Sequence, residues 1–266
     1  MDSHFFNIEV DITEKNPEFE RRSIQYFSEE KIVVYTASYG TLSDLIEPLT
    51  VPDNCHFYVF TDQEVPEHSI WEKVTLDFDS YDLREASASM KEQFVKMHPH
   101  LLFETFYYSL YVDSSIKIMT DPTEFIERLN AYGVVFHNDY RVDCACIETD
   151  LGHVHGEFSK QDTEKQKEYL EKQGLPKDYG FLDTSVIFRN HHHETCIAIM
   201  EEWWDETAQQ ATKENIMLPL ILYRRGLRTL ELAGLGNDIY SNYAFKKINP
   251  PMMPEGLISY HGKVTT

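Results

Sequence analysis

Two acids stand where the chain's pattern and its chemistry meet. Asp113 closes the strand-like run that begins YYSLYVDSSIKIM (residues 107–119), and two small hydroxyls, Ser114 and Ser115, follow it before the second run. Asp183 opens the β-branched stretch 184–188 inside GFLDTSVIFRNHHHE. A buried strand that stops on a carboxylate delivers it to the carboxyl edge of its sheet, where open α/β sheets bind ligands. Asp and Ser are also ordinary turn residues, so the surrounding chain has to separate the two readings. Carboxylates at such an edge can ligate a hard cation or take the proton of a hydroxyl nucleophile. A third concentration of ionisable groups, His137, Asp139, Arg141, Asp143 and Glu148, follows the strand-like residues 133–136 and reads as a site or as a solvated loop. His191, His192 and His193 are adjacent, so their side chains diverge in an extended segment, and a surface turn is favoured over a metal site.

The elements that must position these acids alternate. Residues 31–38 (KIVVYTAS) form a β-branched run that meets a turn at Tyr39-Gly40, and 41–49 carry a short helical pattern. Further strand-like runs cover 56–60, ending at Thr61-Asp62, and 71–76. Residues 84–98 read as a helix with Met90, Phe94 and Met97 on one face and Arg84, Lys91 and Lys96 elsewhere, for which ordinary solvation is the commoner outcome. Helical patterns follow at 122–129, 157–173, 195–207 and 213–224, with Trp203 and Trp204 expected in the core rather than in a cleft. Residues 1–30 are polar and acidic, an appendage with a helical pattern at 17–30. The alternation predicts an α/β fold in residues 31–266, a single domain whose mostly parallel, mixed sheet is flanked by helices.

Composition narrows the partners. With 266 residues, 42% of them hydrophobic, the chain can bury a substantial core. A net charge of -21 repels nucleic acid and anionic membrane alike. Four cysteines without CxxC spacing predict reduced thiols in a cytoplasmic protein. The amino terminus lacks the pattern of a secretory signal, and the longest apolar run, 216–223, contains Pro219 and falls short of the roughly 20 residues of a membrane span, so a soluble protein is expected. GxSxG, HExxH and GxxxxGK[ST] are all missing, which removes the common serine hydrolase, zincin and P-loop readings.

The motifs that remain are VVYTASYG followed by DLIEP, FTD at 60–62, the basic residues and HPH between Arg84 and His100, YSLYVDSSIKI, His137 with Arg141 and Asp143, GFLDTSVIFRNH, and EEWWDE followed by TKENIMLPL. In this order, over residues 31–225, the chain resembles the glycosyltransferase-like family first described in plant turgor regulation and seed mucilage formation, which has a GT-A-like fold. Where the family pattern reads Arg-Asp-Gln, this chain has Lys213-Glu214-Asn215, a conservative departure. The resemblance implies transfer of a sugar from a nucleotide-sugar donor, expected to be UDP-linked, to a glycan or other hydroxyl acceptor in polysaccharide biosynthesis. It implies that Tyr35, Thr36, Ala37 and Tyr39 hold the base, with Asp62 as a nucleotide contact. It also implies an Asp-x-Asp element for Mn²⁺ or Mg²⁺, here reduced to Asp113-Ser114-Ser115, with His261 completing the ligands. Without metal, Arg84, Lys91, Lys96 or Lys263 would offset the diphosphate charge. Asp183 is expected on the acceptor side, as general base in an inverting transfer or as a positioning group in a retaining one.

Two other classes compete. The missing second acid of the Asp113 element motivates a non-catalytic nucleotide-sugar-binding or scaffold protein. Asp113 and Asp183 as a carboxylate pair motivate a glycoside hydrolase.

Overall fold

The structure is a computed structural model that describes residues 31–40, 45–210 and 212–248. The chain divides between Glu30 and Lys31, and all the described residues belong to the second unit, Lys31–Thr266. The helix expected at 17–30 lies outside the described residues, as do His261 and Lys263.

Strand β1 (Ile32–Ala37) is buried along its whole length because both faces of its sheet are covered. Side chains alternate across a strand. Ile32 and Val34 accordingly join one apolar cluster, and Val33, Tyr35 and Ala37 join the other. Around β1 the sheet runs β3 (Glu72–Val74), β2 (Cys55–Phe60), β1, β4 (Tyr108–Val112), β7 (Leu182–Asn190) and β6 (Val134–Asn138). The first four are parallel, whereas β7 runs antiparallel to both β4 and β6. One reversed strand has a large consequence. It brings the start of β7 to the same edge as the ends of β1, β4 and β6, so Asp183 and Asp113 share that edge.

Helix α1 (Ala88–Met97) starts where Ser87 Oγ accepts the Met90 amide, an N-cap that satisfies one orphan donor. A short turn of helix, α2 (Pro99–Leu102), follows directly. Val95 and Met97 of α1 pack with Trp203 of α5 (Glu194–Gln210) and with Ile216 to Leu218 of α6 (Glu214–Arg224) on one face of the sheet. Trp203 is fully buried, as expected for a core residue, and its Nε1 donates to Glu214 O at 2.6 Å, pinning the start of α6. The opposite face is covered by Trp71, Phe125, Leu235 and a two-stranded sheet of β5 (Ile116–Ile118) and β8 (Phe245–Lys247).

Local departures have local causes. The pattern at 122–129 forms a 3-10 helix, Pro122–Arg128, capped by Asp121. Residues 45–49 are not helical, and Leu49 N instead donates to Ile118 O beside β5. The loop reading of residues 137–148 gives way at Ala145, where α3 (Ala145–Val154) begins with Cys144 as its N-cap. Cys144 and Cys146 are joined by a disulfide rather than reduced, their Cα atoms 5.4 Å apart and within bridging range. Helix α4 (Lys160–Lys172) is the charged surface helix expected from its composition, and α7 (Thr229–Leu232) is a single turn. Among the described residues no helix is long and apolar enough to cross a membrane.

Candidate functional site

Two cavities meet at the carboxyl edge of the sheet. One, of about 310 Å³, is lined by Ala37, Lys96, Tyr111, Asp113, Ser114 and Ser115 among others. The larger, of about 590 Å³, runs along Asp183, Glu148, Arg141, Lys213, Tyr240 and Lys247. Ser89, Gln93, Asp113 and Glu214 line both, so these four side chains form the seam. A third cavity of about 250 Å³ lies over Tyr39, Gly40, Asp62, Phe78 and Lys91.

At the seam a buried ammonium faces carboxylates. Lys96 Nζ donates to Glu214 Oε1 at 2.8 Å and to Thr184 Oγ1 at 3.3 Å, and lies 3.6 Å from Asp113 Oδ1. Burial alone would discharge a lysine, yet Asp113 and Glu214 outweigh it and hold the Lys96 ammonium above its ordinary pKa. Glu214 shows the complement: burial raises it, and the Lys96 charge and hydrogen bond bring it below the carboxylate range. Around Asp113 the burial effect wins and its pKa is raised, with Lys96 pulling against it. The backbone beneath Lys96 is fixed as well. Its carbonyl accepts from Tyr35 Oη at 3.1 Å and from Arg189 Nη1 at 2.9 Å.

Asp183 sits beside Asp113 through sheet register, since Val112 pairs with Val186 and Asp113 N donates to Ser185 O at 2.8 Å. Asp183 Oδ1 accepts from Ser185 N at 2.8 Å and from the Ser185 hydroxyl. Burial raises its pKa, but Lys247 and the Ser185 bonds outweigh that and leave it lowered. Asp183 is therefore ionised at neutral pH. Glu148 differs, because burial raises its pKa and the Asn215 Nδ2 bond at 2.9 Å offsets only part. On the cleft wall Arg141 is held by both Asp139 oxygens, at 3.0 and 2.7 Å, and its guanidinium lies 3.8 Å from the Tyr240 ring centroid.

No protein-family model matches the chain, and no curated protein does. Among solved structures it is similar to an active-site mutant of LgtC, at 11% sequence identity over 83% of this chain and 88% of that one, with a TM-score of 0.47. A likeness that slight carries no conclusion about activity, which has to come from the residues of the site itself.

Of the residues singled out in the sequence, the structure gathers Ala37, Asp113, Ser114 and Ser115 in the smaller cavity and Asp183 in the larger. Tyr39, Asp62 and Lys91 share the third cavity, where Asp62 Oδ1 accepts the Gly40 amide at 3.1 Å. Tyr35 and Thr36 are both buried, Tyr35 lies in the core cluster, and neither lines any of these three cavities. Arg84 is exposed, ion-paired with Asp79, and lines neither cavity of the seam. The metal set is tested by its donors. Among the described residues no group of three or more His, Cys, Asp or Glu side chains is placed to hold a metal ion. Asp113 offers one carboxylate flanked by neutral serines, and that carboxylate already faces an ammonium, so the described part of the set does not fit a divalent ion. Sequence reasoning passed over Glu214, Asn215 and Lys247 as cleft residues. For Glu214 and Asn215 the available signals were the Lys213-Glu214-Asn215 counterpart of the family pattern and their place at the very start of a helix.

Proposed function

We propose that the chain is a glycosyltransferase with a GT-A-like fold, which moves a sugar from a nucleotide-sugar donor to a hydroxyl acceptor. The observation that carries this reading is the pair of cavities joined at Asp113 and Glu214, since group transfer needs two substrates to meet at one seam. The donor's diphosphate would lie along Ala37, Ser114 and Ser115, with its base toward Tyr39 and Asp62, and the acceptor would enter beside Asp183. In the transfer, the bond from the anomeric carbon to the β-phosphate oxygen breaks and its electron pair leaves with the diphosphate. The acceptor oxygen forms the new bond to that carbon. Its proton passes to Asp183 if the outcome is inverting; in a retaining outcome Asp183 positions the acceptor and the proton passes to the departing diphosphate oxygen. The carboxylates of Asp113 and Glu214 favour the positive charge that develops at the anomeric carbon.

Mn²⁺ or Mg²⁺ at Asp113, Ser115 and His261 belongs to the family expectation, and the Lys96 ammonium beside Asp113 weighs against it. Ser115 in place of a second acid also favours, as the second reading, a protein that binds nucleotide sugars without turning them over. Nucleotide released from a panel of nucleotide sugars, with and without glycan acceptors, separates the two. Acceptor-dependent release supports the transferase; binding without release leaves the scaffold; acceptor-free cleavage of a simple glycoside points to a hydrolase.

A further inference from the structure

Lys96 is built into the seam more firmly than a surface lysine of an acidic protein has reason to be. Its residue is 3% exposed, its carbonyl is held by two donors, and its Nζ stands 5.1 Å from the Tyr111 ring centroid. The ammonium has no slack. It spans the Glu214 oxygen at 2.8 Å and the Asp113 oxygen at 3.6 Å, the two carboxylates that line both cavities.

We propose that the Lys96 ammonium is the resident cation of the donor site, seated against Asp113 and Glu214 where a divalent ion would otherwise bridge carboxylate and diphosphate, so that the chain binds nucleoside diphosphates without a divalent ion. A lysine whose backbone and side chain are both fixed needs no ordering when the ligand arrives. A divalent ion on Asp113 would face the ammonium directly, and like charges this close in a partly dry site repel. Ser115 fits the same arrangement, because a second carboxylate there would add charge that one ammonium could not offset. Lys247 supplies a further local cation: it lines the larger cavity, makes no ion pair among the described residues, and acts on both Asp113 and Asp183.

The donor half of this proposal rests on the transferase reading, whereas the ion half does not, and the test keeps them apart. Mn²⁺ alone is titrated into the whole chain and followed by electron paramagnetic resonance. Wild type should show no saturable uptake that Asp113→Asn removes, and Lys96→Ala should bind Mn²⁺ at least about tenfold more tightly, a gain lost again in the Lys96→Ala/Asp113→Asn pair. UDP binding, measured by calorimetry, should agree within about twofold in EDTA and in Mn²⁺ for wild type. Lys96→Arg should retain it in EDTA, which keeps the test decisive if Lys96→Ala does not fold. Mn²⁺ uptake by wild type through Asp113, or UDP binding only with Mn²⁺, would overturn the proposal and leave the transferase standing. UDP binding under neither condition would remove the donor reading and the donor half with it, while the Mn²⁺ titration would still decide whether Lys96 excludes the ion.

Discussion

Lys96 and Glu214 are 118 residues apart in the chain and 2.8 Å apart in the fold, joining the last turn of α1 to the first residue of α6. Removing one member of a buried ion pair leaves the other uncompensated and costs roughly 3–5 kcal/mol, whereas removing both is far milder. Lys96→Met should therefore destabilise the chain by about that amount, and Lys96→Met/Glu214→Gln should recover part of it. Urea denaturation of the four proteins in this cycle measures the coupling. Additive losses would show that the pair contributes nothing as a pair.

The two acids at the edge are predicted to fail differently. Asp113→Ala should abolish donor binding, because the carboxylate lines both cavities at the seam and faces Lys96. Asp183→Asn should retain donor binding and, if Asp183 is the base, lower transfer by roughly 10²–10⁴-fold. Because Asp183 is held below the ordinary carboxylate range, the acidic limb of the wild-type pH profile should fall below it too. Calorimetry and product assays on the same preparations check both, and the reverse division of effects would refute the assignment.

Much of this site was legible as position and little of it as partnership. The runs around β1, β4 and β7 announce themselves because buried strands need unbroken apolar and β-branched residues, and the acids at their ends follow from that. The direction of β7 is not written locally, although it decides that Asp183 comes to the same sheet edge as Asp113. Tyr35 illustrates a second limit. The resemblance implied that it holds the base, but its ring lies in the core cluster, where its hydroxyl donates to Lys96 O. Lys96 itself reads as a solvated helix lysine until Glu214 and Asp113 arrive from distant segments. The disulfide of Cys144 and Cys146 depends on a local backbone geometry that the spacing alone did not disclose.

Acid should destabilise the fold before the lowered carboxylates, Glu214 and Asp183, titrate. Burial lowers His98 and His137 to about 4 and His191 to about 3. These groups stay neutral in the fold, while the unfolded chain takes up their protons below about pH 6.5, so stability is present above that pH and is lost as pH falls toward the folded values. Each contributes on the order of 2–3 kcal/mol of loss by about pH 4. Glu214 and Asp183, held below the carboxylate range, add their losses only at lower pH still. Urea midpoints between about pH 7.5 and 4.5 should fall steadily, and less steeply in His191→Asn. A flat profile would contradict the burial of these imidazoles.

Gly180 sets the approach to Asp183. Its φ is +96°, and a Cβ there would collide with Thr229 Oγ1. Its amide donates to Asp143 O at 2.9 Å, so the turn cannot simply relax outward. Gly180→Ala should cost about 1–3 kcal/mol, read as a lowered melting temperature. Unchanged melting would mean that Thr229 gives way freely.

A nucleotide-sugar donor in the cavity of Ala37, Ser114 and Ser115, meeting its acceptor at Asp113 and Glu214, is the arrangement on which the proposed transfer depends. A crystal structure of the chain soaked with UDP tests it most directly. The diphosphate is predicted beside Ser114 and Ser115, within reach of Lys96, with the uracil toward Tyr39 and Asp62 and the cavity beside Asp183 left open. UDP bound elsewhere on the chain, or lying across Asp183 and closing that cavity, would contradict it.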